Sequence, residues 1–270
     1  MRGSDGQRQI RLMALKLTLA IFMAPCALLI SSAASAHPED EFCTPGNDSV
    51  DPELCAALAE LDRKDSDVQL YPVEVDRGTV ETAALYLSIG VRHILPGGLD
   101  HILFVLAIFL ASVRWRALLL QISAFTIAHT VTLALAASGV ITPSPAVVEP
   151  LIALTIGFVA IENLVFREMT RWRPAVVFGF GLIHGMGFAG FFGELGLPPG
   201  QFWSALIGFN LGVEVGQLLV LALAIGLGVS FRHYFDDADG TRQYRRFVVL
   251  PGSAIIGLVG FWWAAARLIP

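Results

Sequence analysis

Four histidines, His93, His101, His129 and His184, stand in or beside long apolar stretches, as do Asp100, Glu162, Asn210 and Glu214. An ionised side chain at bilayer depth is expensive, so such residues are functional candidates by default. Imidazole and carboxylate, with no thiol in any of these stretches, suit a divalent transition metal of borderline hardness, nickel, cobalt, zinc or iron. A copper(I) site would draw on Cys or Met. Mixed nitrogen and oxygen ligands on separate helices bind an ion firmly enough to strip its water and loosely enough to release it. Any one of these residues reads equally well as interhelical hydrogen-bonding glue. His101, His129 and His184 together with Asp100 and Glu214 read as a metal-handling set.

Helical spacing focuses the set. Asn210, Glu214 and Gln217 lie at i, i+4 and i+7, on one stripe. Gly208, Gly212 and Gly216 form a small-residue ladder on the nearly opposite face, suited to close helix packing. Thr126, His129 and Thr130 share a face, and Gly179, Gly181, Gly185, Gly187 and Gly190 surround His184. At about 1.5 Å per helical residue, these side chains are expected to line one outward-opening cavity. Glu214 is placed near its floor, and Glu162 deeper, where an exit step would lie.

The elements that must position them are bilayer-spanning helices. The chain has 270 residues, 55% of them hydrophobic, a mean hydropathy of +0.66 and only 15% charged residues, against roughly 25% in soluble domains. Apolar blocks of spanning length run over 99–113, 118–138, 147–166, 175–192, 202–229 and 247–268. The reading is an all-α polytopic membrane domain over 81–270 with six spans. Glu81–Leu95 is expected to be an interfacial helix, ended by Pro96-Gly97-Gly98. Trp115, Trp172, Trp203, Trp262 and Trp263 read as interfacial anchors.

Loop charge sets the orientation. Arg114, Arg116, Arg167, Arg171, Arg173, Arg232, Arg242, Arg245 and Arg246 follow the first, third and fifth spans, whereas loops 139–146 and 193–201 carry no Lys or Arg. By the positive-inside rule both mature termini lie outside. The arginines are scattered singly, which excludes a basic nucleic-acid surface.

The first 36 residues read as a cleavable signal peptide: Arg2, Arg8, Arg11 and Lys16, then the apolar run 17–30, then Ala34-Ser35-Ala36. Residues 37–80 form an acidic exported segment, in which twelve Asp and Glu between Glu39 and Asp76 face only Arg63 and Lys64. Export makes a Cys43–Cys55 disulfide plausible.

At the metal-type residues the chain resembles a known family. The run His93-Ile-Leu-Pro-Gly-Gly-Leu-Asp100-His101-Ile-Leu-Phe104 is similar to the first motif of the HupE/UreJ hydrogenase and urease accessory membrane proteins. Phe125-Thr-Ile-Ala-His129-Thr, Ile161-Glu162-Asn163-Leu, Phe180-Gly-Leu-Ile-His184-Gly-Met-Gly-Phe188 and Phe209-Asn210-Leu-Gly-Val-Glu214-Val-Gly-Gln217 extend the likeness. Six residues separate His93 from Asp100, and the fourth-span motif holds a single His, as in a divergent branch of the family. The resemblance implies a nickel or cobalt permease of the bacterial cytoplasmic membrane, with metalloenzyme maturation proteins as partners beside the ion and the bilayer. It implies metal handling at Asp100, His101 and His184, with His129 matching by analogy.

Two other classes compete on the residues. One is an intramembrane metalloenzyme, with Glu162 or Glu214 as a base beside metal-bound water, or a metal-delivery accessory protein. The other is a haem carrier with two of the histidines as axial ligands. The sequence contains no His-Glu-x-x-His, no Cys-x-x-Cys-His and no nucleophile-elbow serine.

Overall fold

The computed structural model describes residues 78–112, 114–188, 200–232 and 240–269. The expected signal peptide and the acidic segment as far as Arg77, with its Cys43 and Cys55, lie outside the described residues. Every regular element within them is helical: α1 Thr79–Ile94, α2 Leu99–Ala111, α3 Trp115–Ala137, α4 Pro145–Val165, α5 Arg173–Gly187, α6 Phe202–Arg232, α7 Gly240–Tyr244 and α8 Leu250–Leu268. A π-helical turn over Arg245–Val249 joins α7 to α8. Proline opens α4, α5 and α8 within their first two positions, where its missing N–H is no loss.

Among the described residues, four stretches are long and apolar enough to cross a bilayer: Trp115–Ala137, Pro145–Val165, Phe202–Gly228 and Arg242–Leu268. A fifth arises if α1 and α2 count as one broken span, for the two meet that test together although bent by 71°. The break falls at Pro96-Gly97-Gly98, where proline removes a helix donor. Helix α5 has 15 described residues, or about 22 Å, short of the roughly 30 Å hydrocarbon core. The outward-facing residues are apolar, with Leu223 66% and Leu258 72% exposed, whereas His129, Gln217 and Arg173 are buried. That inversion of the soluble pattern is what a lipid solvent selects.

Helix α1 departs from the interfacial expectation, because it is packed along α6. Thr82, Tyr86, Gly90 and Ile94, one residue per turn, form its buried face. The glycine ladder of α6 receives that face. A Cβ on Gly208 would strike Ala83 O, one on Gly212 would strike Leu87 O, and one on Gly216 would lie 2.7 Å from Ile94 Cβ. Gly90 answers from the other side, since a Cβ there would meet Phe209 O. Small residues on both helices let the backbones touch, so dispersion replaces the missing hydrophobic drive. The same device joins α5 to α3, where Gly181 and Gly185 face Phe125 O and His129 O. Trp263 also departs from its anchor role: it is 8% exposed, with the Arg267 guanidinium 5.6 Å from its ring.

Candidate metal centre

Four helices each deliver one imidazole to the same interior point. His93 comes from the last turn of α1, His101 from the first turn of α2, His129 from α3 and His184 from α5. The ring of His101 is central, with centroids 4.9 Å from His93, 5.1 Å from His184 and 6.0 Å from His129. His101, His129 and His184 are buried, and His93 and Asp100 half-buried. Phe104 and Phe125 wall one side; Phe188 and Phe209, stacked 4.7 Å apart, wall His93. The tight break carries His93 and His101 into contact, for a Cβ on Gly98 would strike His93 O and lie 3.3 Å from His101 Nδ1.

Hydrogen-bond accounting gives the state of three rings. Asp100 Oδ1 accepts from the His101 backbone N–H at 2.7 Å and from His101 Nδ1 at 2.8 Å. His129 Nδ1 lies 3.0 Å from Asn210 Oδ1. The Asn210 amide is oriented by its Nδ2, which donates to Leu206 O at 2.8 Å, so Oδ1 is the acceptor and His129 Nδ1 carries the proton. Thr155 Oγ1 donates to Ile152 O at 2.7 Å, leaving its oxygen to accept from His184 Nε2 at 2.9 Å. Each ring therefore donates through one nitrogen and keeps a lone pair on the other. Those others, His101 Nε2, His129 Nε2 and His184 Nδ1, are buried without a partner, and so is His93 Nε2. A buried polar atom left unbonded costs about 1–3 kcal/mol, and a cation bound among these rings would satisfy the nitrogens it touches. Metal-binding histidines are held in this way, the distal N–H fixed by a carboxylate, amide or hydroxyl.

Two overlapping groups can hold an ion. The ligand atoms of His93, His101 and His129 lie within 4.8 Å of one another, and so do those of Asp100, His101 and His184. The other sequence candidates take other partners. Asn210 orients His129. Glu214 Oε1 accepts from Ser123 Oγ at 2.8 Å, beside a Thr126–Gln217 bond at 3.2 Å, so this polar stripe stitches α3 to α6. Glu162 belongs to a separate cluster: its Oε2 is 3.4 Å from Arg173 Nη1, and its Oε1 accepts from Thr170 Oγ1 at 2.7 Å. Asn163 accepts from Arg173 Nη1 at 3.0 Å and donates to Ala107 O at 2.8 Å. That cluster borders a cavity of about 350 Å³ that Arg167 and Arg245 also line.

The family model for HupE / UreJ proteins matches residues 71–267. The chain belongs to the HupE/UreJ family. No curated protein and no solved structure matches it. HupE/UreJ proteins are linked to nickel or cobalt uptake or to an accessory function, and the apolar helices fit a multi-pass membrane protein. Sequence reasoning missed Thr155, Ser123 and the burial of Arg173 in this HupE/UreJ chain. A threonine or serine in an apolar span carries no mark of its partner on another helix, and Arg173 reads as a loop charge until the start of α5 is seen to lie inside the bundle.

Proposed function

We propose that this HupE/UreJ chain is a permease for a divalent transition metal, nickel or cobalt, and that the ion passes through the four-histidine cluster with Asp100. The observation that carries the reading is the convergence of four unpartnered imidazole nitrogens from four helices beside one carboxylate. Neutral imidazoles and a single carboxylate offset part of a dication's charge, so the ion is held without being trapped. Donors that soft and that few suit Ni2+ and Co2+ better than Mg2+ or Ca2+, which take oxygen shells.

In this reading the membrane domain has six spans, with α1 and α2 together as the first and α5 as the fourth. The arginine-bearing loops face the cytoplasm, both mature termini lie outside the inner membrane, and the acidic segment of residues 37–80 follows a cleaved signal peptide. Uptake of radioactive nickel or cobalt into proteoliposomes containing the purified protein tests the function. Wild type is expected to accumulate the ion, and Asp100→Ala and His184→Ala to lose that accumulation. Normal uptake by both variants would sink the proposal.

A further inference from the structure

The two ligand groups cannot serve one ion at once. A first-row dication binds nitrogen at about 2.1 Å, so ligands on opposite sides of it stand no more than about 4.2 Å apart. His93, His101 and His129 come close to that limit as one group, and Asp100, His101 and His184 as another; among the described residues they form two groups, not one. His101 is common to both. Its Nδ1 is 2.8 Å from Asp100 Oδ1 and its Nε2 is unpartnered, so it offers one lone pair at a time: Nε2 while Nδ1–H is bonded to Asp100, and Nδ1, with the proton moved to Nε2, when Asp100 shares the ion. Two dications sharing a single imidazole this closely would also repel strongly in a low-dielectric interior.

We propose that the cluster holds one Ni2+ or Co2+ ion in two alternative positions, His93–His101–His129 and Asp100–His101–His184, with His101 as the ligand kept while the others are exchanged. The inference rests on the reading of the cluster as a metal site. The positions differ in charge. The first offers only neutral nitrogens and the second adds a carboxylate, so the ion rests in the second and reaches the first in passing. Stepwise exchange around a retained ligand avoids releasing a bare dication inside the membrane, where its hydration is lost. The second-sphere bonds support this division, since Asn210 steadies His129 in one position and Thr155 steadies His184 in the other.

Purified full-length protein titrated with NiCl2 tests this by equilibrium binding and nickel X-ray absorption. Wild type is expected to bind one ion with two imidazoles and a carboxylate. His184→Ala is expected to retain one ion with an affinity about 10- to 100-fold lower and a spectrum that shows three imidazoles. His93→Ala is expected to keep a spectrum of two imidazoles and a carboxylate, to lose far less affinity than His184→Ala, and to lose flux in proteoliposomes. His101→Gln removes the shared ligand and is expected to abolish both modes. Equal, complete loss of binding in His93→Ala and His184→Ala would overturn the proposal, as would two ions per wild-type chain. Wild type that binds neither nickel nor cobalt overturns the metal reading as well. One-ion binding with the expected spectra and no uptake overturns the permease reading alone.

Discussion

His101 Nδ1 stands 2.8 Å from Asp100 Oδ1, and the same carboxylate oxygen accepts the His101 backbone N–H at 2.7 Å. Neighbours in sequence, the two are locked together at the first turn of α2, where the helix dipole favours an ionised carboxylate. The bond fixes the proton on Nδ1 and presents Nε2 to the other rings. Asp100→Asn keeps the shape and an acceptor oxygen but removes the charge. It is expected to weaken nickel binding by at least about tenfold with little change in thermal stability. Equilibrium binding and a melting curve on the same preparation check both halves.

Thr155 is predicted to act through His184. Thr155→Val is nearly isosteric but removes the oxygen that accepts from His184 Nε2, freeing the ring to turn or change tautomer. Metal affinity should fall about 10- to 100-fold, and Thr155→Ser should restore most of it. A valine variant with wild-type nickel affinity would leave the hydroxyl without that role.

The α1–α6 contact predicts opposite outcomes for two glycines of one helix. An added Cβ at Gly212 meets Leu87 O and lies 2.9 Å from Gly90 Cα, while one at Gly226 meets nothing within 4 Å. Overpacking of this kind costs about 1–3 kcal/mol, whereas glycine to alanine in an open helical position gains up to about 1 kcal/mol. Gly212→Ala should therefore melt earlier than wild type in detergent, and Gly226→Ala at the same temperature or slightly later.

Much of the frame was legible because an apolar block of bilayer length is a local property. The ends of α3, α4 and α6 fall within about three residues of the blocks read from hydropathy, and the family motifs marked His93, Asp100, His101, His129 and His184. What hydropathy could not carry was pairing. The ladder Gly208-Gly212-Gly216 announced a close contact but not that α1 supplies it, so α1 read as an interfacial helix. Glu214 and Glu162 have the right chemistry for a metal, and only their partners, Ser123 and Arg173, distinguish them from the cluster. Thr155 gave no signal at all, since its function lies in a histidine on another helix.

Acidification is expected to weaken binding. Protons and metal compete for the same imidazole lone pairs, and only the neutral ring coordinates. Affinity should thus rise from acid to neutral pH and level off once the rings are neutral, with protons released on metal addition below that plateau. Titration of the purified protein with nickel at several pH values, in buffers of different ionisation heat, measures both. Binding that is indifferent to pH across this range would argue against imidazole ligands.

Arg173 and Glu162 supply the last prediction, about stability rather than metal. Arg173 is 2% and Glu162 9% exposed, with Nη1 to Oε2 at 3.4 Å and Asn163 tied to the same nitrogen. Arg173→Ala would leave a buried carboxylate and an unpaired amide oxygen, and breaking such a pair costs about 3–5 kcal/mol. Neutralising the partner removes most of that penalty, so Arg173→Ala/Glu162→Gln should melt well above the single variant. Because this cluster shares no hydrogen bond with the imidazoles, folded double variant is expected to bind nickel with wild-type affinity. A double variant as unstable as the single one would mean that the guanidinium acts through packing alone, and the melting temperatures of the three proteins distinguish the two accounts.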